Sequence, residues 1–274
     1  MRNDAIPVLM LGCGRMGGAI ARALVPARRV LAFDPHADLP DGVERIEDLS
    51  TASLPRELAV ILAVKPQAFG GMRDALAPLA GEGRLFVSIM AGITLAGLAD
   101  MFDTHAAIVR AMPNTPAAIG CGIAAAVASA TVDGPQREIA ADILRATGDL
   151  VWLDDEEDLD AVTAVSGSGP AYFFRFAESL VRAGVAEGLS EAVATRLARQ
   201  TFIGAGRLAE TEAAIPLGEL RRQVTSPGGT TAAGLGAMDE PITGSDAGAV
   251  ARIDGLARDV VEAAARRSRE LAGG

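Results

Sequence analysis

The run Gly12-Cys13-Gly14-Arg15-Met16-Gly17 limits the possible fold more than any other feature of the 274 residues. Residues 7–11 before it are apolar and read as a strand. Residues 15–24 after it place Ile20, Ala23 and Leu24 at helical spacing. In such a strand–turn–helix unit the first glycine permits a tight turn, the second lets backbone approach a pyrophosphate, and the third lets helix lie against strand. The free N–H groups and dipole of the helix start then favour a phosphate. Gly12, Cys13, Gly14, Arg15, Met16 and Gly17 are therefore expected to bind a dinucleotide.

The rest of the first half continues that architecture. Apolar runs at 29–33, 58–64, 85–90, 107–111, 122–128 and 149–153 read as strands, with helical patterns at 69–80, 95–100 and 136–146. This alternation predicts a doubly wound, mainly parallel Rossmann-type sheet. After Trp152 an acidic break, residues 154–160, gives way to helical periodicity alone. Ser168, Ser190 and Pro216 are read as helix openers, Gly188 as a stop, and 247–271 as a final helix. The expected organisation is an α/β dinucleotide-binding domain at 1–155 and an all-α domain at 156–274 that binds substrate and dimerises.

Composition excludes several classes. Half the residues are hydrophobic, enough for a large core, but no apolar stretch reaches the length of a membrane span. A net charge of −10 argues against a general nucleic-acid surface. Cys13, Cys121, His36 and His105 show no metal-ligand spacing, so no metal is expected. No signal-peptide pattern opens the chain, and the expected location is cytoplasmic.

Further motifs fall where ligands sit, at the carboxyl ends of strands. Asp34 stands 22 positions after Gly12. An acid there accepts from ribose hydroxyls and disfavours a 2′-phosphate, which favours NADH, although Asp34 can equally cap a turn before Pro35, and Arg15 or Arg45 can receive a phosphate. Ala63, Val64 and Lys65 end the third strand. Lys65 is the single lysine of the chain and is compatible with a base, a cofactor contact or a solvated side chain. Asn114 lies between Pro113 and Pro116. The break Ser166-Gly167-Ser168-Gly169 is either a linker or a backbone approached by a ligand. The segment Val224-Thr225-Ser226-Pro227-Gly228-Gly229-Thr230-Thr231 offers free amides and hydroxyls, a cradle for a small carboxylate, with no titratable group.

Common dehydrogenase chemistries fail on residues. Tyr172, the only tyrosine, lacks a lysine four positions on, the cysteines of a zinc alcohol dehydrogenase are missing, and no lysine lies in 170–189. Both histidines fall in the cofactor domain, poorly placed for a 2-hydroxyacid dehydrogenase. Reduction of an imine, already electrophilic when protonated, needs no strong base and fits what remains.

From GCGRMGGAI through AVKPQ, RAMPNTPA and DAVTAVSGSGPAYFF to VTSPGGTTAAGL, the sequence resembles the pyrroline-5-carboxylate reductases over nearly its whole length. The resemblance implies reduction of 1-pyrroline-5-carboxylate to L-proline with NADPH or NADH, the last step of proline synthesis. It implies a Rossmann domain, a helical domain that intertwines in a homodimer, and further assembly into rings of dimers. By motif, Thr231 would hydrogen-bond the imine nitrogen, and Ser226, Gly229 and Thr230 would hold the carboxylate. Gln223 and Glu156 would line the substrate pocket. Ala63, Val64, Lys65, Ala91 and Asn114 would flank ribose and nicotinamide. Asp34-Pro35-His36 departs from the small-polar-then-basic pattern of NADPH-preferring relatives. Another cyclic-imine or 2-oxoacid reductase on this scaffold, and a non-catalytic nicotinamide sensor, are the competing readings.

Overall fold

The computed structural model describes residues 5–49, 52–76, 79, 84–102, 106–240 and 252–272. Among them the chain divides into two units, one reaching to Pro170 and resumed from Ala263 onward, the other spanning Ala171–Glu262.

The first unit is built on one eight-stranded sheet. In chain order its elements are β1 (Val8–Leu11), α1 (Arg15–Leu24), β2 (Val30–Phe33), β3 (Glu44–Arg45), β4 (Ala59–Leu62), α2 (Pro66–Phe69), α3 (Arg73–Leu76), β5 (Leu85–Ser88), α4 (Leu95–Phe102), β6 (Ala107–Met112), β7 (Gly122–Ala128), α5 (Gly134–Arg145), β8 (Gly148–Trp152) and α6 (Asp158–Val162). The strand order is β3-β2-β1-β4-β5-β6-β7-β8. Every neighbouring pair is parallel except β6 with β7, so β7 and β8 run against the rest. The chain reverses after β1–β2–β3 and continues on the other side of β1, which leaves a crevice outside the carboxyl ends of β1 and β4.

Period-two alternation feeds two cores. Val8 and Met10 of β1 face one layer, with Ile20 and Leu24 of α1 and Ile143 and Leu144 of α5. Leu9 and Leu11 face the other, with Phe69, Leu76, Leu98 and Phe102. Burial on both faces is why β1 and β4 read as unbroken apolar runs rather than alternating ones. Phe86 and Phe102 pack with ring centroids 4.1 Å apart, and truncating either buried ring should cost about 3–5 kcal/mol. Asp133 and Gln136 close a capping box on α5, with Pro135 in its first turn.

Two readings need correction here. The helical pattern of 69–80 is broken into α2, a 3-10 turn at Gly70–Met72 and α3, while 77, 78 and 80 lie outside the described residues. Ser168 does not cap a helix. Thr163–Gly167 forms a π turn, Ser168 is itself right-handed helical, and Ser166 Oγ donates back to the Val162 carbonyl. The serine-glycine break, read as a linker or as backbone approached by a ligand, is thus a helical continuation with the wider turn that π geometry brings.

The second unit is helical. It contains α7 (Gly169–Ala186) from residue 171, α8 (Glu191–Thr211), α9 (Leu217–Gln223), α10 (Thr230–Asp239) and the first half of α11 (Arg252–Ala272). Ser190 caps α8 by accepting from the Val193 amide, and Gly188 stops α7 at φ 95°, both as the sequence indicates. The start of the final helix expected at 247 lies outside the described residues. Gly184 lets α7 approach Ala194 of α8, and Phe202 touches Phe173 and Phe174. Little else is covered: Phe173, Phe174, Val193, Leu197 and Leu208 are all exposed.

Candidate functional site

The glycine turn after β1 has the geometry its sequence calls for. Gly12 sits at φ 92°, and a Cβ there would lie 2.7 Å from the Ala63 carbonyl at the end of β4. A Cβ on Gly17 would lie 2.4 Å from the Gly12 carbonyl. Gly14, by contrast, faces open space, and no side chain caps the first turn of α1. The N–H groups of Arg15, Met16 and Gly17 therefore stand unclaimed by any side chain beside a backbone that a ligand can approach. This uncapped ten-residue helix start fits a dinucleotide pyrophosphate.

Cys13 and Asp34 are used differently from expectation. The Cys13 amide donates to Asp34 Oδ2 at 2.7 Å, so it is a staple rather than a phosphate donor. Asp34 Oδ1 accepts from the His36 and Ala37 amides at 2.9 and 3.0 Å. Of the two readings of Asp34 the turn cap is present, and the same side chain also ties that turn to the glycine loop. Burial pushes its carboxyl up, but the three amides outweigh burial and hold it below the ordinary aspartate value. Arg45, on β3, donates to the carbonyls of Asp34 and Ala37 at 2.7 and 2.9 Å and fixes the same loop from outside. Burial, then the charge of Asp34, push the Cys13 thiol up, so it stays protonated at neutral pH.

Ala63, Val64 and Lys65 lie at the carboxyl end of β4, with Lys65 exposed at the start of α2. Ala91 is exposed in the turn between β5 and α4. Asn114 follows β6 but is buried: its Nδ2 donates to the Ser166 carbonyl at 3.2 Å, and its Oδ1 accepts from the Ile123 amide at 3.0 Å. Its amide braces β7 and the π turn instead of standing free at the sheet edge. Glu156 also lies in the first unit. Its Oε1 accepts from Arg110 at 2.6 Å and from the Leu95 amide at 2.7 Å. Arg110 was not expected as a site residue, although an arginine inside the apolar run of β6 signals a buried ion pair. His105 lies outside the described residues.

The remaining expected residues come together in the second unit. Gln223 ends α9, and the loop to α10 carries Ser226, Gly228 at φ 70° and Gly229. The Gly229 amide donates to the Ser226 carbonyl at 3.0 Å, which folds the loop into a turn. Gly229 then opens α10 without a side-chain cap, leaving the amides of Thr230, Thr231 and Ala232 without a capping partner. Ser226, Thr230 and Thr231 are exposed. Thr225 donates back to the Arg221 carbonyl and secures the end of α9. Among the described residues no cluster of three His, Cys, Asp or Glu side chains can hold a metal ion, and no helix is long and apolar enough to cross a membrane.

Known proteins share this arrangement. The family described as pyrroline-5-carboxylate reductase dimerisation matches residues 156–271. A pyrroline-5-carboxylate reductase of Pseudomonas aeruginosa is 39% identical over 97% of this chain and 96% of its own length. The structure of a pyrroline-5-carboxylate reductase from Coxiella burnetii superposes with a TM-score of 0.86 at 30% identity, covering 98% of this chain and 99% of that one. That of the Plasmodium falciparum pyrroline carboxylate reductase, with NADP bound, gives 0.78 at 28% identity over 97% and 99%.

Proposed function

The chain belongs to the pyrroline-5-carboxylate reductase family, and from that premise we propose how its residues divide the family's reaction. The protein is an oxidoreductase that reduces 1-pyrroline-5-carboxylate to L-proline with NAD(P)H, closing proline biosynthesis, and its helical domain makes it a homodimer.

The carrying observation is the uncapped start of α10 behind a loop rich in hydroxyls and free of titratable groups. Ser226 and the amides of Gly229 and Thr230 hold the substrate carboxylate, as helix N-termini hold anions. The Thr231 hydroxyl oxygen accepts a hydrogen bond from the protonated ring nitrogen and keeps the C=N carbon presented to one face. The bound nicotinamide supplies the hydride. A protonated imine that accepts a hydride becomes a neutral amine, so no residue has to remove a proton in that step, in keeping with the lack of a base in the loop. Gln223 borders the loop. Gly12, Gly14, Arg15, Met16 and Gly17 hold the pyrophosphate, with Cys13 and Asp34 shaping that turn. Ala63, Val64, Lys65, Ala91 and the Asn114 loop flank the ribose and nicotinamide. Glu156 acts at one remove, through Arg110 and Leu95.

We further assign 1–155 to cofactor binding and 156–274 to substrate binding and dimerisation, a division supported by the family match from 156. The dimers join into a ring. Exposed Val151 and Val165, beside an apolar groove lined by Ile123, Ala125 and Leu153, support a second contact area. The free thiols of Cys13 and Cys121 suit a reducing cytoplasm.

The test is turnover of pyrroline-5-carboxylate by the purified protein with each reduced nicotinamide, beside the six-membered analogue, and sedimentation at micromolar concentration. Preferred turnover of the five-membered ring by a dimer or larger species is expected. Equal use of both rings, or a stable monomer, would overturn the assignment.

A further inference from the structure

The turn between β5 and α4, residues 91–94, stands at the same sheet edge as the glycine turn, because β1, β4 and β5 are parallel. It is held from two sides by groups with no place in the reaction. On one side, Glu156 accepts the Leu95 amide at the first residue of α4 and is itself fixed by Arg110, which is 6% exposed. On the other side, the last turn of α11 meets it. Gly92 sits at φ 77°, and a Cβ there would lie 2.9 Å from the Leu271 carbonyl. That last turn is tied down in turn by Ser268, whose hydroxyl donates to Asp160 Oδ1 on α6 at 2.5 Å.

We propose that Glu156 and the final turn of α11 are positioning elements for the 91–94 loop, and through it for the nicotinamide end of the cofactor. The proposal rests on the functional reading above only in naming what the loop faces. Three features argue for it together. Glu156 offers one oxygen to two donors, so its placement follows the first turn of α4 and Arg110 of β6 rather than a ligand. Gly92 admits α11 where any side chain would push it off. Glu156 lies just before α6 and Asp160 within it, so one short stretch of chain anchors both sides of the clamp. Displacing either anchor frees the loop that carries Ala91.

Hydrogen exchange of the full-length protein tests this without relying on turnover, alongside NADPH binding measured without substrate. A lost hydrogen bond to a charged acceptor is worth about tenfold in a local equilibrium. Ser268→Ala and Glu156→Ala should each speed exchange over 91–95 about tenfold and weaken NADPH about three- to tenfold, with KM for pyrroline-5-carboxylate within about twofold. Glu156→Gln keeps an acceptor for the Leu95 amide and should restore protection. If Gln is as damaging as Ala, raising KM for the substrate with exchange and NADPH binding unchanged, Glu156 faces the substrate and the proposal falls. Unchanged exchange in Ser268→Ala refutes the role of α11. Should Glu156→Ala fail to fold around its unpaired Arg110, Gly92→Ala and Ser268→Ala decide by the same two readouts. A wild-type protein inert toward pyrroline-5-carboxylate would overturn the function but leave the exchange result standing.

Discussion

Replacing Asp34 by serine separates its observed hold on the loop from the proposed repulsion of a phosphate. Three amides lose their acceptor. Those of His36 and Ala37 lie near solvent and can turn to water, and a serine can recover one of them. The Cys13 amide cannot be reached by the shorter side chain, and Cys13 is 4% exposed. An unmet buried donor costs about 1–3 kcal/mol. A loss near 2 kcal/mol lowers Tm by about 4–8 °C in a chain of this size. The charge effect is separate. A unit charge about 4 Å from the carboxylate is repelled by about 1 kcal/mol in water, and a phosphate dianion by about twice that. The ratio of NADPH to NADH affinity should therefore rise about 5- to 30-fold, while both cofactors bind less tightly because the glycine turn has loosened. Thermal unfolding of the apoprotein reads the first effect, and binding titrations of both cofactors at about 0.1 M and 1 M salt read the second. The ratio should shrink at high salt, where screening acts within about 3 Å. An unchanged Tm would refute the staple, and an unchanged ratio would mean the carboxylate does not face the ribose.

Three other outcomes are expected. Thr231→Ala should lower kcat about 10²-fold with cofactor affinity intact, since it removes the hydrogen-bond partner of the atom where charge changes; near-normal turnover assigns the contact to another residue. The depressed carboxyl of Asp34 contributes stability that is complete above the unfolded value of about 3.9 and is lost as pH falls through its lower folded value. Asp34→Asn should flatten that part of the stability–pH curve, measured by denaturant unfolding from pH 6 down to 2, and an identical curve contradicts the shift. An amine-reactive reagent should modify Lys65 as the single side-chain amine, and bound NADPH should slow that modification several-fold by peptide mass mapping; no protection removes Lys65 from the cofactor site.

The sheet was legible because its strands are unbroken apolar runs, as in β1 and β4, and the glycine turn because Gly12 and Gly17 each meet a steric limit while Gly14 leaves the backbone open. The helical unit was legible from its caps, Ser190 and Gly188. What escaped had no local signal. β3 is only Glu44–Arg45, two exposed polar residues whose pairing depends on β2. The reversed direction of β7 follows from a short 3-10 connection, Thr115–Ile119, that hydrophobic periodicity does not encode. The π turn at 163–167 occupies residues whose composition suits a linker. Long-range partners escaped as well: Glu156 lies 46 positions from Arg110, and Asp34 meets Cys13 across 21. A motif reading treats such side chains as ligands because their residue types are right, whereas in the fold they are held by backbone amides and, for Glu156, by a buried arginine.

One helix belongs to two bodies. α11 starts within the second unit and ends within the first, where Ala265 is buried and Ser268 reaches α6. In a nascent chain every strand of the sheet emerges before that turn exists. Its contacts on the first unit can form only after the intervening 171–262 have been made. Non-local closure of this kind is slow, since the intervening loop must be ordered first. The first unit thus takes its last contacts from the end of the chain, and a change that displaces the final turn of α11 should loosen the turn at 91–94 although it lies far from it in sequence.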